Sequence, residues 1–295
     1  MRQIKPTTAW WCLAPVLSPE EIIRHTAKIG YAGIEFAPRE QWDAIVDAGS
    51  TIVCVRGHND ITNGLNDPAE HDRIEREILA NLKLAQAYGI PSLVCFSGER
   101  KGQDDVSGAA NTISALNRVA KAAEEAGVLL ALELLNSKVD HPDYMCDHTS
   151  WGVEVVSAVD SPAVKLLYDV YHMQIMEGDI IRTIGEHHQH FGHYHLAGNP
   201  GRNDPDETQE LYYPAILDAL EATGYTGYMG MEYLPSGDPV ASLEATYTMA
   251  VGTGARATSG SEPFFSDTRR GRRPSTPIWS PVSSRPSSWT PVRMA

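Results

Sequence analysis

Short apolar runs alternate with longer amphipathic stretches along most of the chain. The runs predict eight buried strands, at roughly 6–12, 32–36, 51–57, 92–97, 128–134, 164–169, 191–196 and 228–233. The stretch after the third run carries apolar residues at helical spacing, Ile74, Ile78, Leu82 and Ala85. Another extends from about Gly108 to Ala126, and Gly127 closes it as a C-terminal glycine. The pattern therefore predicts eight strand–helix repeats.

The predicted strands are continuous apolar runs, without regular alternation of apolar and polar positions. That pattern is typical of a parallel sheet that helices cover on the outside. Eight strand–helix repeats within about 250 residues predict a single-domain (β/α)8 TIM barrel, of class α/β. A doubly wound open sheet is the alternative, because it has the same alternation of elements.

The composition changes near residue 252 and predicts two regions, a barrel at 1–251 and a tail at 252–295. The last 44 residues contain nine Ser, six Pro, seven Arg and two acidic residues, with no hydrophobic period. Such a segment cannot bury enough apolar surface to fold, so we expect a disordered tail. No function is assigned to it; a basic interaction arm is the alternative.

The charge balance limits the choice of partners. The formal net charge is −14, and since the tail carries +5, residues 1–251 carry −19. A strongly acidic barrel argues against nucleic acid and membrane surfaces as partners. The four cysteines form no Cys-x-x-Cys pair, and the start of the chain shows no apolar signal core. We therefore expect a cytoplasmic protein with reduced thiols that acts on a small molecule.

Four of the apolar runs end on a residue of the kind that binds metal ions. These residues are Glu133, Asp169, His195 and Glu232. The carboxyl ends of parallel barrel strands converge on one pocket, so the four side chains are expected to meet there. Three carboxylates and one imidazole suit a divalent cation, Mg²⁺ or Mn²⁺, with Co²⁺ as an alternative. A single acid at a strand end is commonly solvated, but four such residues on consecutive strands indicate a site.

A metal site flanked by carboxylates indicates proton transfer next to a carbonyl group. Removal of a proton there leaves an enediolate, whose charge a bound cation stabilises as a Lewis acid. One carboxylate removes the proton, and a second returns or shuttles it. Because Glu133 and Glu232 come from the fifth and eighth predicted strands, we expect them to be the catalytic acid–base pair. Asp169 and His195 lie between them and are expected mainly to hold the metal.

Further candidates lie near the predicted pocket. His58 follows the third strand, His172 lies on the loop after the sixth, and Arg202 lies on the loop after the seventh. All three are candidate substrate-binding residues. A guanidinium such as that of Arg202 can hold a substrate carboxylate through two parallel hydrogen bonds. His193 shares a strand face with His195 and is expected to fill the layer beneath it.

Two conspicuous motifs are assigned no chemistry. Trp10 and Trp11 are expected to pack in the core, with a place in the pocket wall as the alternative. Glu186-His187-His188 has metal-binding residue types, but it lies on a predicted helix and lacks the His-Glu-x-x-His spacing. We expect it to be a solvated helix face.

Longer segments around the candidate residues resemble a known family. They are Leu-Glu133-Leu-Leu-Asn, Tyr-Asp169-Val-Tyr-His172-Met, Gly-His-Tyr-His195-Leu-Ala-Gly-Asn-Pro-Gly-Arg202, Glu210-Leu-Tyr-Tyr-Pro214 and Met-Glu232-Tyr-Leu-Pro. These segments resemble the xylose-isomerase-like sugar isomerase and epimerase barrels, and within them the hydroxypyruvate isomerase branch. The resemblance covers residues 1 to about 251 and none of the tail.

The resemblance implies a metal-dependent isomerase of carbohydrate metabolism that acts on a small hydroxy-carbonyl acid. The expected reaction converts hydroxypyruvate to 2-hydroxy-3-oxopropanoate (tartronate semialdehyde). The resemblance also implies the same four metal ligands and the same two catalytic Glu, and it places His172 and Arg202 at substrate contacts. Such barrels often form homo-oligomers.

Some features leave other functions open. The resemblance implies Gln at the position of His195 in many hydroxypyruvate isomerases, whereas His there is typical of the ketose 3-epimerases. A ketose 3-epimerase that acts on free sugars is therefore the main alternative. A nuclease from the same superfamily would need a basic groove, against which the acidic barrel argues. A barrel that binds sugars without turnover is the remaining alternative.

Overall fold

The computed structural model describes residues 2–252 of the 295-residue chain. Within them lie nine strand segments: β1 Lys5–Ala9, β2 Gly33–Glu35, β3 Thr51–Ile52, β4 Cys54–Arg56, β5 Ser92–Cys95, β6 Leu129–Glu133, β7 Val164–Asp169, β8 Phe191–Leu196 and β9 Tyr228–Met231. The same residues form ten α-helices: α1 Trp10–Leu13, α2 Pro19–Ile29, α3 Trp42–Asp47, α4 His71–Tyr88, α5 Asp105–Ala126, α6 Thr149–Val159, α7 Val170–Met176, α8 Ile180–His187, α9 Tyr213–Ala222 and α10 Pro239–Val251.

The strands form a closed parallel barrel, which confirms the predicted (β/α)8 TIM barrel. Their order around the sheet is β3-β2-β1-β9-β8-β7-β6-β5-β4. The third predicted strand appears as two segments, β3 and β4, on either side of Val53. The Val53 amide donates to the Ile34 carbonyl at 2.9 Å, and the Phe36 amide donates to the Cys54 carbonyl at 2.9 Å. These bonds join β2 to both segments and close the ring, so the open-sheet alternative is wrong.

Helix ends follow local sequence signals. At the start of α2, Ser18 and Glu21 form a capping box, in which each side chain accepts from the other residue's backbone amide. The α5 helix begins three residues earlier than about Gly108, because the Asp104 carboxylate accepts the Ser107 amide at 2.9 Å. Gly127 ends that helix with φ of +67°, as predicted. These caps fix where α2 begins and where α5 begins and ends.

The first strand is shorter than the prediction of 6–12. It ends at Ala9, and Trp10–Leu13 form one helical turn in which the Ala14 amide donates to the Trp10 carbonyl at 2.9 Å. The turn buries Trp10 and leaves Trp11 42% exposed. Core packing is therefore the wrong expectation for Trp11, whose ring instead lines a cavity at the carboxyl ends of the strands.

Buried apolar side chains pack inside the barrel and between the strands and the outer helices. The predicted face of α4 is buried against the strands, with Ile74, Ile78 and Leu82 each at most 3% exposed. Full burial of such a side chain contributes about 1.5–3 kcal/mol. Within residues 2–252, no helix combines the length and hydropathy needed to cross a membrane. Beyond Gly252, the predicted tail and its disorder lie outside the described residues.

Candidate active site

The four predicted metal-site residues converge at the carboxyl ends of consecutive strands. Glu133 ends β6, Asp169 ends β7, His195 lies near the end of β8, and Glu232 follows β9. The register pairs Asp169 with His195 directly. One ligand-type atom from each of the four side chains lies within 4.8 Å of the others, and all four residues are buried. The barrel thus gathers three carboxylates and one imidazole at one point.

The imidazole of His195 is oriented with one nitrogen toward the carboxylates. Its Nε2 lies 2.8 Å from Glu35 Oε2, to which it donates. Its Nδ1 lies 2.9 Å from Glu232 Oε2 and 3.7 Å from Glu133 Oε1. This buried Nδ1 makes no hydrogen bond within the described residues. With Nε2–H held by Glu35, Nδ1 is the nitrogen that faces the carboxylates, which is the orientation of a histidine ligand to a cation.

The three carboxylates of the cluster carry more negative charge than the neighbouring Arg202 guanidinium offsets. Burial opposes protonation of His195, but Glu232 and Glu35 outweigh it and raise the pKa of the imidazole well above its ordinary value. A divalent cation among the same oxygens would neutralise them and replace the proton on Nδ1. Mixed carboxylate and imidazole donors are a set that Mn²⁺, Co²⁺ or Zn²⁺ accepts. The residues therefore fit a divalent metal ion.

Glu35 is the most informative residue that the sequence prediction missed. It is fully buried below the cluster and accepts hydrogen bonds from Thr7, Cys54 and His193 as well as His195. The His193 imidazole lies 3.1 Å away in the layer beneath, where it was expected. Glu35 ends β2 as the other acids end their strands, so the same signal was present in the sequence. Carboxylates that hold a metal-binding histidine by its outer nitrogen fix its tautomer and raise its basicity.

Replacing Glu35 by Gln is expected to weaken Mn²⁺ binding by about 10- to 100-fold. The amide cannot accept from both His193 and His195 as the carboxylate does. Because it breaks a buried ionic network, we also expect the free energy of unfolding to fall by about 3 kcal/mol. Calorimetric titration of chelator-treated protein and urea unfolding measure the two effects. Glu154→Gln, on an exposed position of α6, is the matched control. Unchanged Mn²⁺ affinity in Glu35→Gln would contradict this role.

Arg202 lies inside the cluster. Its Nη2 donates to Asp169 Oδ2 at 2.9 Å and also to Glu232 Oε2, and its Nε donates to the Glu232 carbonyl at 3.1 Å. The guanidinium carbon lies 4.8 Å from the Tyr171 ring centroid and 5.6 Å from that of Trp11. The Trp11 indole itself donates to Glu232 Oε1 at 2.7 Å. Arg202 is thus held by the acids and by two aromatic rings.

The other two candidate residues differ in their relation to the cavity. His172 lines it, with its Nε2 2.7 Å from Arg202 Nη1. Burial and Arg202 keep the pKa of His172 well below its ordinary value, which favours its neutral form. His58 lies behind Phe96 and is not among the lining residues. Its Nε2 accepts the Phe96 amide at 3.0 Å, and its Nδ1 lies 3.1 Å from the Asn59 carbonyl. The structure therefore does not bring His58 to the cavity surface.

A cavity of about 600 Å³ opens above the cluster. Glu133 and Glu232 reach its surface, whereas Asp169 and His195 lie beneath. Apolar side chains form much of its wall: Trp11, Phe36, Trp42, Val55, Ile61, Phe96 and Leu135. Its volume is typical of a site for a small molecule. A small substrate can therefore meet both Glu carboxylates at once.

The two cavity carboxylates have different proton affinities. Burial raises the pKa of Glu133 to about 7, and the nearby charge of Glu232 adds to the rise. Burial also acts to raise the pKa of Glu232, but His195 and Arg202 overcome it and lower the value to about 2. Two carboxyl groups whose pKa values diverge in this way are suited to separate acid and base roles.

Comparison with known proteins identifies the family. The profile of the xylose isomerase-like TIM barrel family matches residues 23–248. The chain belongs to this family. The resemblance predicted from the strand-end segments is therefore confirmed.

Relatives of this xylose isomerase-like barrel include named isomerases. The chain is 29% identical over 230 residues to the 2-oxo-tetronate isomerase of Haemophilus influenzae, covering 74% of this chain and 88% of that protein. It is 28% identical over 177 residues to the hydroxypyruvate isomerase of Escherichia coli, covering 60% and 68%. Matches to two vertebrate relatives, from Xenopus laevis and Danio rerio, span 43% and 47% of their own lengths. The chain thus spans about half the length of those two relatives.

Solved structures show the same barrel. One described as AP endonuclease, family 2, from Brucella melitensis superposes with a TM-score of 0.74 at 26% identity, covering 82% of this chain and 97% of that one. D-Psicose 3-epimerase from Clostridium cellulolyticum superposes with a TM-score of 0.65 at 23% identity, covering 83% and 90%. At that identity, the likeness to the epimerase shows the fold alone.

Proposed function

We propose that this barrel is a divalent-metal-dependent isomerase that moves a proton between adjacent carbons of a small hydroxy-keto acid. One observation carries the proposal. Glu133 and Glu232 reach the same cavity above a buried cluster in which His195 directs a free nitrogen at three carboxylates. The names of the relatives, hydroxypyruvate isomerase and 2-oxo-tetronate isomerase, support the same substrate class.

The metal would be held by Glu133, Asp169, His195 and Glu232, and we propose Mg²⁺ or Mn²⁺, with Co²⁺ as an alternative. When bound, such an ion stabilises negative charge that develops on the substrate's carbonyl and hydroxyl oxygens. The residues beneath serve its binding: Glu35 orients the imidazole, and the Tyr171 amide donates to Asp169 Oδ1 at 2.8 Å. Protein hydrogen bonds thus fix the side chains of Asp169 and His195 independently of a bound ion.

The proton transfer uses the two Glu carboxylates. The ionised Glu232 carboxylate is suited to remove a proton from C3 of hydroxypyruvate, next to the C2 carbonyl. Glu133, the carboxyl group of the two with the higher proton affinity, is suited to return one to C2. The hydroxyl proton on the C3 oxygen moves to the C2 oxygen. Glu232 then releases its proton to solvent and Glu133 takes one up, which returns both carboxylates to their starting states. The product is the aldehyde tartronate semialdehyde, with the same atoms and no oxidant or reductant.

The names of the relatives favour a small acid over a free sugar. Much of the cavity wall is apolar, and Asp140 and His141 are polar side chains in it that can bind hydroxyl groups. Ketose 3-epimerisation remains the second candidate because of the His195 imidazole. We propose that His172 and Arg202 contact the reacting end of the substrate, since both adjoin the cluster.

A substrate comparison tests this class assignment. Hydroxypyruvate and 2-oxo-tetronate are offered in parallel with free ketopentoses and ketohexoses, and products are followed by NMR. We expect kcat/KM for at least one of the acids to exceed that for every ketose by at least about tenfold. A higher kcat/KM for a free ketose would reject the hydroxy-keto acid and favour the epimerase.

The state of the cysteines supports a cytoplasmic location, which we also propose. All four cysteines of the chain lie in the described residues, and each is buried with a free thiol. Reduced, unpaired cysteines are usual in reducing compartments.

A further inference from the structure

A substrate carboxylate would enter a cavity whose floor carries the carboxylates of the cluster, offset by Arg202 and the proposed metal ion. Glu133 and Glu232 line that floor, with Asp169 directly beneath. A cation that lies apart from the cluster and has no protein partner is best suited to hold the acid's carboxylate. Among the described lining residues, the Arg and Lys side chains are Arg56 and Arg202.

Arg202 is poorly placed to provide that cation. Three of its five N–H groups are already directed at protein oxygens: two from Nη2 to Asp169 and Glu232, and one from Nε to the Glu232 carbonyl. Its Nη1 lies 2.7 Å from His172 Nε2. A bidentate bond to a carboxylate needs two parallel N–H groups on one edge of the guanidinium. Arg202 is engaged with the cluster on both of its edges.

Arg56 is free by contrast. It ends β4, and its side chain is exposed at the cavity. Within residues 2–252, no hydrogen bond or ion pair ties its guanidinium to a protein group. Its surroundings in the cavity wall are apolar, including Val55, Ile61 and Phe96. All five N–H groups of Arg56 therefore remain available to a ligand.

The barrel places Arg56 opposite the cluster. Alternation along β4 puts Arg56 on the same face as Cys54, whose thiol reaches Glu35 inside the barrel. Counting β3 and β4 as one strand of eight, the strand order sets β4 across the ring from β8, which carries His195. Arg56 and the cluster therefore face the same cavity from opposite sides.

We propose that Arg56 binds the substrate carboxylate and makes this site selective for hydroxy-keto acids over uncharged ketoses. The inference rests on the proposed function, because it specifies how the same cavity recognises the acid. The rigid guanidinium fork matches a carboxylate with two hydrogen bonds, and the ammonium of Lys does not reproduce that geometry. With the carboxylate held on this side, C2 and C3 lie toward Glu133 and Glu232.

The test compares hydroxypyruvate with dihydroxyacetone, in which an uncharged hydroxymethyl group replaces the carboxylate. Hydrogen exchange at the carbon next to the carbonyl is measured for both in deuterated water. In Arg56→Gln, we expect the KM for hydroxypyruvate to rise by about 10- to 100-fold. The rate with dihydroxyacetone should stay within about threefold, and Arg56→Lys should recover only part of the loss.

The matched control is Arg76→Gln, which removes the same charge from an exposed position on α4. It should leave both substrates unaffected. An unchanged KM for hydroxypyruvate in Arg56→Gln would overturn the proposal. So would an equal loss with both substrates, since that result indicates a general defect of the site. Thermal unfolding should be close to that of the parent protein, because the Arg56 side chain has no protein partner to lose.

A binding measurement separates this inference from the proposed function. D-Glycerate and glycerol differ in the same way as the two substrates, and their binding to Mg²⁺-loaded protein is followed by ligand NMR. If the parent protein exchanges hydrogen with none of hydroxypyruvate, 2-oxo-tetronate and dihydroxyacetone, the proposed function fails, and glycerate binding alone decides Arg56. Preference for glycerate that falls at least about tenfold in Arg56→Gln supports the proposal. No preference in the parent protein, or the same preference in the variant, overturns it.

Discussion

Glu133→Gln and Glu232→Gln are each expected to abolish exchange between substrate hydrogen and solvent while the barrel still folds. Each variant keeps the size of the side chain and removes the group that takes or returns the proton. General acid–base catalysis contributes about 10²- to 10⁴-fold, and both residues also serve the proposed metal site, so we expect kcat to fall by at least about 10³-fold. Deuterium incorporation measured by NMR gives the exchange rate, and circular dichroism reports the fold.

The two substitutions are not equivalent. Glu232 accepts from Trp11 and Arg202 and lies 2.9 Å from His195 Nδ1, so its loss also loosens these neighbours. The Glu133 carboxylate has the 3.7 Å contact with His195 and fewer protein partners. Glu133→Gln is therefore the cleaner test of proton transfer. Glu154→Gln is the control, and substantial exchange in both active-site variants would contradict the acid–base assignment.

Asp169→Asn is expected to lower Mn²⁺ affinity by at least about 100-fold without unfolding the protein. Loss of a residue that only supports a ligand costs about 10- to 100-fold, so loss of a charged ligand should cost more. Asp169 Oδ1 also accepts the Tyr171 amide at the start of α7, and an Asn oxygen can replace it there. The helix should thus keep its cap while the cluster loses one negative charge.

Titration of chelator-treated protein with Mn²⁺, followed by calorimetry or electron paramagnetic resonance, measures this loss. The matched control is Asp104→Asn, because Asp104 likewise caps a helix but lies outside the cluster. The control should bind Mn²⁺ as the parent protein does. Equal affinity in Asp169→Asn and the parent would show that the cluster is not the metal site.

The fold and the four-residue cluster could be predicted because their signals are local. Continuous apolar runs mark strands of a parallel barrel, and such a barrel brings its strand ends together whatever the loops do. Glu133, Asp169, His195 and Glu232 needed only to be placed at strand ends. Even the interruption at Val53 leaves the third predicted strand in its place around the ring.

The rest depends on contacts between distant parts of the chain. Trp11 is 221 residues from Glu232, and Glu35 is 160 residues from His195, so no local pattern reports either contact. The expectation for Trp11 was wrong because the chain turns into a helix right after Ala9. The engagement of Arg202 and the freedom of Arg56 likewise appear only when the ring is closed. Which charged side chains pair with one another across the site cannot be read from the local sequence.

One measurement tests metal-dependent isomerisation most directly. Chelator-treated protein is mixed with hydroxypyruvate in deuterated water, with and without Mg²⁺ or a low concentration of Mn²⁺, and proton NMR follows C3 and the aldehyde product. We predict deuterium at C3 and formation of tartronate semialdehyde only when the metal is present. Absence of exchange with the metal present would reject hydroxypyruvate as the substrate, and equal exchange without the metal would contradict the metal-dependent mechanism.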